Sequence, residues 1–429
     1  MMGKIFRDGF KVAVKSFSLF CLFAFLPLNV SAIDIKLKKD RVVVDDICYT
    51  VNAKKETAVV VKKGEPYLGD IVIPEKIEVD SLTFFVEEIA AGAFEKSSGV
   101  TSVVVPKGVR KIGARAFAEC SSLTTIELPK GLEELPAQMF ADCASLTEIT
   151  LPSTVKKMGS GVFKDCKSLA GIELPSGISA LPRGAFEGCS HLQEVTLPTG
   201  LTSIGNDAFA DCASLERIDI PTGVKTIGDE AFKGCSGLKS FDFPNGVTKI
   251  ESGVLENCTS LEEIHLPNSV SEIGSEAFRG CSLIDSLSLP NSVTKIGSAA
   301  FRDCSNLQKI NLPNGLTSLS GDLFRGCVNL HNITFPNGLK SIGGSAFEGC
   351  TSLEKITLPT ALKEIGGSAF DKCNNLLEIN VLSATPPKIA GSTFGKTTYR
   401  SAIVNIKKGS IGNFHLNKQW GKFLDIMEK

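Results

Sequence analysis

The sequence predicts a repeat solenoid, and a fixed period of 23 residues is the first observation behind this prediction. The large apolar residues that keep this step are Phe117, Phe140, Phe163, Phe186, Phe209, Phe232, Leu255, Phe278, Phe301, Phe324, Phe347 and Phe370. A cysteine ladder from Cys120 to Cys373 keeps the same step. Because a unit of this length cannot bury its apolar face alone, the units must stack. We expect about twelve to thirteen 23-residue rungs, with parallel β-strands on one face, short helical turns on the other and a cap at each end.

The first 32 residues predict a signal peptide. Basic residues precede the apolar run Phe17–Leu28, and Val30-Ser31-Ala32 provides small residues before a cleavage site. An uncleaved anchor is the alternative, but the run is shorter than the roughly 20 apolar residues that a spanning helix needs. We therefore expect export to the cell surface or the medium, with no membrane span after removal of the leader.

The rest of the chain is predicted to form one elongated domain, because stacked repeats contact only their neighbours. Its expected parts are an N-terminal β cap with a first atypical rung (33–99), the solenoid (100–385) and a C-terminal cap (386–429). The formal net charge of the 429 residues is -1. This balance provides no basic field of the kind that nucleic-acid binding requires, so nucleic acid is not an expected partner.

One rung, Leu215–Gly237, shows how each element is predicted. Leu215 and Ile218 take the inward positions of a short strand whose intervening residues face outward. Pro221 lacks an N–H, so it marks the end of the inter-rung ladder and the start of a turn. The apolar pair in Val224–Ile227 predicts a second, shorter strand.

The second half of the rung begins with Gly228. Proline occupies the same position in two other rungs and cannot adopt a positive φ, so a bend or close packing explains this glycine better than a left-handed conformation. Ala231, Phe232 and Cys235 follow at helical spacing and predict a single helical turn that fills the core from this side.

The repeat cysteines are predicted to be buried, reduced thiols. Disulfide frameworks serve small domains with too little core, whereas each rung here has a full apolar set. Equivalent positions could pair only if the symmetry broke at alternate rungs, and free cysteine packs as a small hydrophobe. A zinc site is not predicted, since there is no Cys-x-x-Cys and the four histidines are scattered. No cofactor or metal is expected.

The repeat pattern L-x-x-I-x-L-P-x-x-L-x-x-I-G-x-x-A-F-x-x-C, which covers roughly Val100 to Thr385, resembles the BspA-like (Treponema-type) leucine-rich repeats of bacterial surface proteins. Segments 45–49 and 69–74 resemble the N-terminal cap of that family. Pro386-Pro387, Lys408-Gly409-Ser410 and Trp420 resemble its C-terminal segment. Three positions depart from the pattern: Ser97 replaces the first cysteine, Leu255 one phenylalanine and Leu382 the last proline.

The resemblance implies a leucine-rich repeat fold and a secreted or surface protein that adheres to macromolecules such as host matrix proteins. A structural envelope scaffold and a polysaccharide-capture protein are the alternative functions. An enzyme is not expected, because the chain has no phosphate loop, no H-E-x-x-H motif, no nucleophile elbow and no compact His, Asp and Ser constellation.

The outward strand residues of the central rungs form the candidate binding site. Successive rungs place these side chains in columns about 4.8 Å apart. The predicted site comprises Glu216, Arg217, Asp219, Lys239, Asp242, Glu262, Glu263 and His265. The middle of this face is acidic, which would attract a basic partner. The expected partner is an extracellular protein or glycan ligand.

Overall fold

The computed structural model describes residues 41–429 and shows a β-solenoid of about 15 turns. Two columns of short strands and one column of turns run along its length. The caps add turns to the twelve to thirteen rungs that the repeat predicts. The predicted leader, residues 1–32, lies outside the described residues, as do residues 33–40 of the predicted N-terminal cap.

The first strand column carries the outward residues of the predicted site, and we call the surface formed by these outward residues the strand face. Its strands, numbered in chain order, are β4 (Leu68–Val72), β7 (Gly99–Val104), β9 (Thr125–Glu127), β12 (Gly171–Glu173), β14 (Glu194–Thr196), β17 (Ser240–Asp242), β19 (Glu263–His265), β21 (Ser286–Ser288), β23 (Lys309–Asn311), β26 (Lys355–Leu358), β28 (Glu378–Val381), β30 (Ile403–Ile406) and β31 (Asp425–Glu428). Neighbours pair in parallel and one repeat apart, as in Phe241 opposite Ile264.

This column is interrupted in three rungs, one of which, at residues 330–335, keeps only the isolated bridges of Asn332 and Thr334. Residues 147–151 and 215–220 form no strand, so the strand predicted at Leu215–Ile220 is wrong as a hydrogen-bonded element. The inward and outward alternation persists there, because Leu215 and Ile218 are buried while Glu216 and Arg217 are exposed. Side-chain burial therefore keeps the course of the chain even where the strand ladder is interrupted.

The second strand column confirms the shorter predicted strand. Its members are β8 (Lys111–Ile112), β10 (Glu134–Leu135), β11 (Lys157–Met158), β13 (Ala180–Leu181), β15 (Ser203–Ile204), β16 (Thr226–Ile227), β18 (Lys249–Ile250), β20 (Glu272–Ile273), β22 (Lys295–Ile296), β24 (Ser318–Leu319), β25 (Ser341–Ile342), β27 (Glu364–Ile365) and β29 (Lys388–Ile389). Between the two columns the repeat proline turns the chain, as predicted. Its carbonyl accepts a hydrogen bond from the amide three residues later, as in Val224 N to Pro221 O at 3.0 Å.

The N-terminal cap extends the second column. Its further strands are β1 (Val42–Val44), β2 (Ile47–Asn52), β3 (Thr57–Val60), β5 (Lys76–Val79) and β6 (Leu82–Ile89). They form one sheet in the order β1-β2-β3-β6-β5, and β6 also pairs with β8. Three strands, β1 to β3, thus extend this column beyond the rung that contains β4 and β6.

The predicted helical turn is not confirmed, because the structure has a series of tight turns in its place. In the rung of Phe232, the amides of Ala231, Lys233 and Cys235 bond to carbonyls three residues earlier. The alternate amides, including that of Phe232 to Val254 O at 3.0 Å, bond to the next rung. Glu230 (φ 55°) and Gly234 (φ 70°) are left-handed. In this arrangement every second amide donates to the neighbouring rung, whereas in a helix these amides would donate to carbonyls of the same segment.

The phenylalanines of these turns form a stacked column in the core. Ring centroids of successive residues lie 5.1 to 5.7 Å apart, and most planes are within about 12° of parallel. Each repeat thiol lies beside this column and donates to a carbonyl of the preceding rung, that of Leu255 for Cys281 and that of a phenylalanine for the others, as in Cys235 Sγ to Phe209 O at 3.1 Å. The predicted burial of the thiols is confirmed, and burial raises their pKa values. Their redox state stays a prediction.

Gly228 has no positive φ, as expected from the proline at equivalent positions. A Cβ built there would lie 2.5 Å from the backbone nitrogen of Asn206 in the preceding rung. Close packing between rungs therefore explains the glycine, as predicted.

Two departures from the repeat have a physical explanation in the packing. Ser97, which replaces the first cysteine, is buried, and its Oγ accepts a bond from the Tyr67 amide at 3.1 Å. Leu255 interrupts the phenylalanine stack in the rung where Phe241 stands in place of the usual aliphatic residue. The Phe241 ring packs edge-on to Phe232 with centroids 4.9 Å apart. In this rung the larger side chain lies at position 241 and the smaller one at position 255, the reverse of the usual arrangement.

We expect Leu255→Phe to destabilise the protein by about 1 to 3 kcal/mol, because the added ring overpacks a rung that already holds Phe241. Adding Phe241→Ile should recover most of that loss. Urea unfolding of both single variants and the double variant gives the coupling energy. Simple additivity of the two single changes would contradict the compensation.

The C-terminal cap closes the core with helices and aromatic residues. It contains α1 (Lys396–Ser401), α2 (Ile411–His415) and a 3-10 turn at Trp420–Lys422. Trp420 is fully buried, and its Nε1 donates to Pro387 O at 2.7 Å. Between residues 41 and 429, no helix has the length and apolar character needed to cross a membrane.

Candidate binding surface on the strand face

The structure places all eight predicted site residues on the strand face. Ile218 and Phe241 are buried in the core and Ile264 packs against it, so the alternation of the strand directs the predicted side chains into solvent. Six of the eight side chains form three ion pairs. The remaining two, Glu262 and Glu263, have no ion-pair partner among the described residues.

The three ion pairs join neighbouring positions of the face. Arg217 donates from Nε and Nη2 to Asp219 Oδ1 at 3.0 and 2.8 Å within one rung. Lys239 Nζ bonds to Glu216 Oε2 at 2.5 Å across two rungs. The bond to the Asp219 carboxylate raises the pKa of Arg217 above its usual value. Because these groups are exposed, each pair adds little stability and is free to exchange partners.

His265 and Asp242 form the third pair, with Nδ1 and Oδ1 2.7 Å apart. Both side chains are well exposed. The described residues contain no group of three His, Cys, Asp or Glu side chains that could hold a metal ion, so this pair has no third metal ligand beside it. The pair therefore belongs to the polar surface of the face.

Acidic side chains dominate a longer stretch of the strand face than the predicted set. The exposed acids from β9 to β19 are Glu127, Glu148, Glu173, Glu194, Glu216, Asp219, Asp242, Glu262 and Glu263. Over the same rungs the basic side chains of the face are Arg217 and Lys239. From β21 to β28 the face carries Asp285, Glu354 and Glu378 against Lys309 and Lys355. We call the stretch from Glu127 to Glu263 the acidic band.

A groove of about 920 Å³ lies over the N-terminal part of the acidic band. Its lining includes Ser102, Thr125, Glu127, Glu148 and Thr150, from three successive rungs. The predicted site did not include this groove. Its signal in the sequence is the small and acidic outward residues of these rungs, but the missing strand at 147–151 has no sequence signal of its own.

The chain belongs to the BspA type leucine-rich repeat family, whose profile matches residues 87–189, 162–285 and 271–400. Leucine-rich repeat solenoids of this kind are generally protein-interaction scaffolds and not enzymes. No curated protein sequence matches the chain.

Several solved structures are similar to this chain. A leucine-rich repeat protein from Bacteroides ovatus is 24% identical, with a TM-score of 0.68, and the match covers 90% of this chain and 99% of that one. A leucine rich cell surface protein from Faecalibacterium prausnitzii is 28% identical, with a TM-score of 0.57 and coverage of 80% and 94%. The pneumococcal vaccine antigen PcpA is 20% identical, with a TM-score of 0.50 and coverage of 91% and 98%.

Proposed function

We propose that this protein is a secreted or cell-surface binding protein, adhesin-like in its use, whose strand face holds an extracellular macromolecule such as a host matrix protein. The observation that carries the proposal is the acidic band, which holds nine acidic against two basic side chains on one rigid surface. The partner region it fits is cationic.

The rigidity of the surface supports binding. The outward side chains stand on a backbone whose inward residues are buried in one continuous core, so little conformational entropy is lost on contact with a partner. Acidic groups at the regular rung spacing raise the local negative potential and speed the approach of a basic partner.

The composition of the face favours a protein ligand over polysaccharide. Sugar platforms use exposed aromatic rings, and among the described residues the aromatic rings in or beside the strands of the central and later rungs, Phe241, Phe243 and Phe335, are buried in the core. The similarity to a leucine rich cell surface protein supports a location outside the cell, as does the leader that the sequence predicts.

Reversing four charges of the acidic band should weaken binding to a cationic partner about tenfold or more, and more at low than at physiological salt. The variant is Glu216→Lys, Asp219→Lys, Asp242→Lys and Glu263→Lys. Single alanine changes should be nearly silent, since an exposed charge contributes at most about 1 kcal/mol. Binding is measured on surfaces coated with purified basic matrix proteins and, in parallel, with polysaccharides.

The matched control reverses four exposed acids outside the strand face: Glu87, Glu133, Glu134 and Glu364. It changes the net charge equally and should keep the affinity. Equal loss in both variants would mean that net charge alone matters. Unchanged binding in the first variant at both salt concentrations would refute the assignment of the site to this face.

A further inference from the structure

The last strand of the first column, β31, has an open edge. It pairs in parallel with β30, and no other strand of residues 41–429 pairs with it. The Lys429 amide donates to Ile406 O at 2.9 Å. This bond shows which residues of the strand direct their backbone groups toward β30. Asp425, Met427 and Lys429 thus direct their backbone groups to β30. Since the direction alternates, the N–H and C=O groups of Ile426 and Glu428 point to the open edge.

The side chains beside this edge are suited to a protein contact. Asp425, Met427 and Lys429 lie in a row on the strand face, and Met427 is 48% exposed. Leu416 and Leu424, on the adjoining chain, are 89% and 72% exposed. The rungs from β9 to β23 present mostly polar residues at outward positions, so the exposed apolar surface lies mainly toward the ends of the molecule, where β4 also exposes Leu68 and Val72.

We propose that the protein forms a symmetric dimer in which β31 pairs antiparallel with β31 of a second copy. The free backbone groups select the register, because Ile426 and Glu428 must face each other across the two-fold axis. This register places Asp425 directly opposite the partner's Lys429, and the symmetry repeats the pair. Met427 meets the partner's Met427 at the axis. One strand thus supplies two opposite-charge pairs, an apolar centre and four backbone hydrogen bonds.

Lys429 is available for this contact. Its Nζ lies 3.9 Å from Glu378 Oε1 within the subunit. Glu378 has nearer partners, since Lys355 Nζ and Asn405 Nδ2 each lie 3.1 Å from its Oε1. Moving Lys429 to the partner's Asp425 leaves no carboxylate unpaired.

A head-to-tail contact between β31 and β4 of the next copy is less favourable. Continuing the parallel register would set Asp425 opposite Asp70, whose carboxylate already accepts bonds from Thr101 and Ser102. At the N-terminal end, the strands β1 to β3 extend the second column beyond the rung of β4. A second copy would therefore meet an uneven surface there. Charge and shape both favour the closed dimer.

Charge exchange across the strand tests the dimer. The wild-type protein, tagged only on its N-terminal side, should show a monomer to dimer equilibrium in sedimentation velocity over a wide range of concentrations. Asp425→Lys and Lys429→Asp each turn two attractive pairs into repulsive ones, so each should weaken the dimer about tenfold or more. The double exchange restores opposite charges and should restore the dimer.

Asp285→Lys, on the strand face far from β31, is the control and should leave the equilibrium unchanged. A dimer that each single variant weakens and the double variant restores identifies this register. A general change of charge or fold would not be reversed by a second substitution. A monomer at every concentration would overturn the proposal. Growth beyond a dimer, or a dimer that the double exchange does not restore, would overturn it as well.

Discussion

Under reducing conditions we expect the protein to lose stability steeply as the pH rises from about 9 to 10. Burial raises the pKa of Cys120, Cys189, Cys304 and Cys373 from 9.0 to about 12 and raises the other repeat thiols in the same direction. The native thiols therefore stay protonated above pH 9, while those of the unfolded chain ionise. The stabilisation is complete below pH 9 and declines as the pH approaches about 12.

Each buried thiol should cost about 1.4 kcal/mol per pH unit above 9, and the thiols of all rungs that unfold together add. Urea unfolding between pH 7 and about 10, below the titration of most lysines, measures the slope. The control is Cys235→Ala, which should reduce the slope by the contribution of one proton whatever its effect at pH 7. Stability that is level across this range, or a slope that the substitution leaves unchanged, would contradict the expectation.

Phe232→Ala should destabilise its part of the solenoid by about 3 to 5 kcal/mol. The ring is fully buried, stacks on Phe209 with centroids 5.2 Å apart and contacts the edge of Phe241. The loss should stay near the rung, because coupling passes only between neighbouring units. Hydrogen exchange should accelerate in residues 208–254 more than near Leu123 or Leu353.

Leu283→Ala is the matched control, since this side chain is 46% exposed and its removal leaves no core cavity. It should leave the exchange pattern nearly unchanged. A uniform acceleration along the whole chain in the Phe232 variant would mean that the solenoid unfolds as a single cooperative unit.

The repeat could be predicted from the sequence because its signals are periodic and chemical. Phenylalanine, cysteine and proline recur at one step, and each has a burial or hydrogen-bonding reason to do so. The turn containing Ala231, Phe232 and Cys235 was interpreted as helical because a spacing of three is shared by helices and by successive tight turns. The positive φ of Glu230 distinguishes successive tight turns from a helix. Glutamate rarely adopts a positive φ, so this residue type does not predict the turn from the sequence.

The candidate surface could be predicted only in part. The alternation of strand residues placed Glu216, Asp219 and their neighbours outward, which the structure confirms. Strand loss at 215–220, the groove near Glu148 and the open edge at Ile426 depend on how rungs lie against one another. Those relations come from packing between units, and no single unit of the sequence carries them.

The unbroken hydrogen bonds of the turn column have a mechanical consequence. From Phe94 to Phe370 the amide of each residue in the phenylalanine column bonds to the next rung, whereas both strand columns are interrupted. The turn side resists stretching along the long axis more than the strand side, whose gaps keep only a few bonds between rungs, such as Lys239 N to Glu216 O at 3.2 Å. The molecule should therefore flex like a strip with one inextensible edge, and a pulling force would widen the spacing of the acidic side chains before it separated any rung from its neighbour.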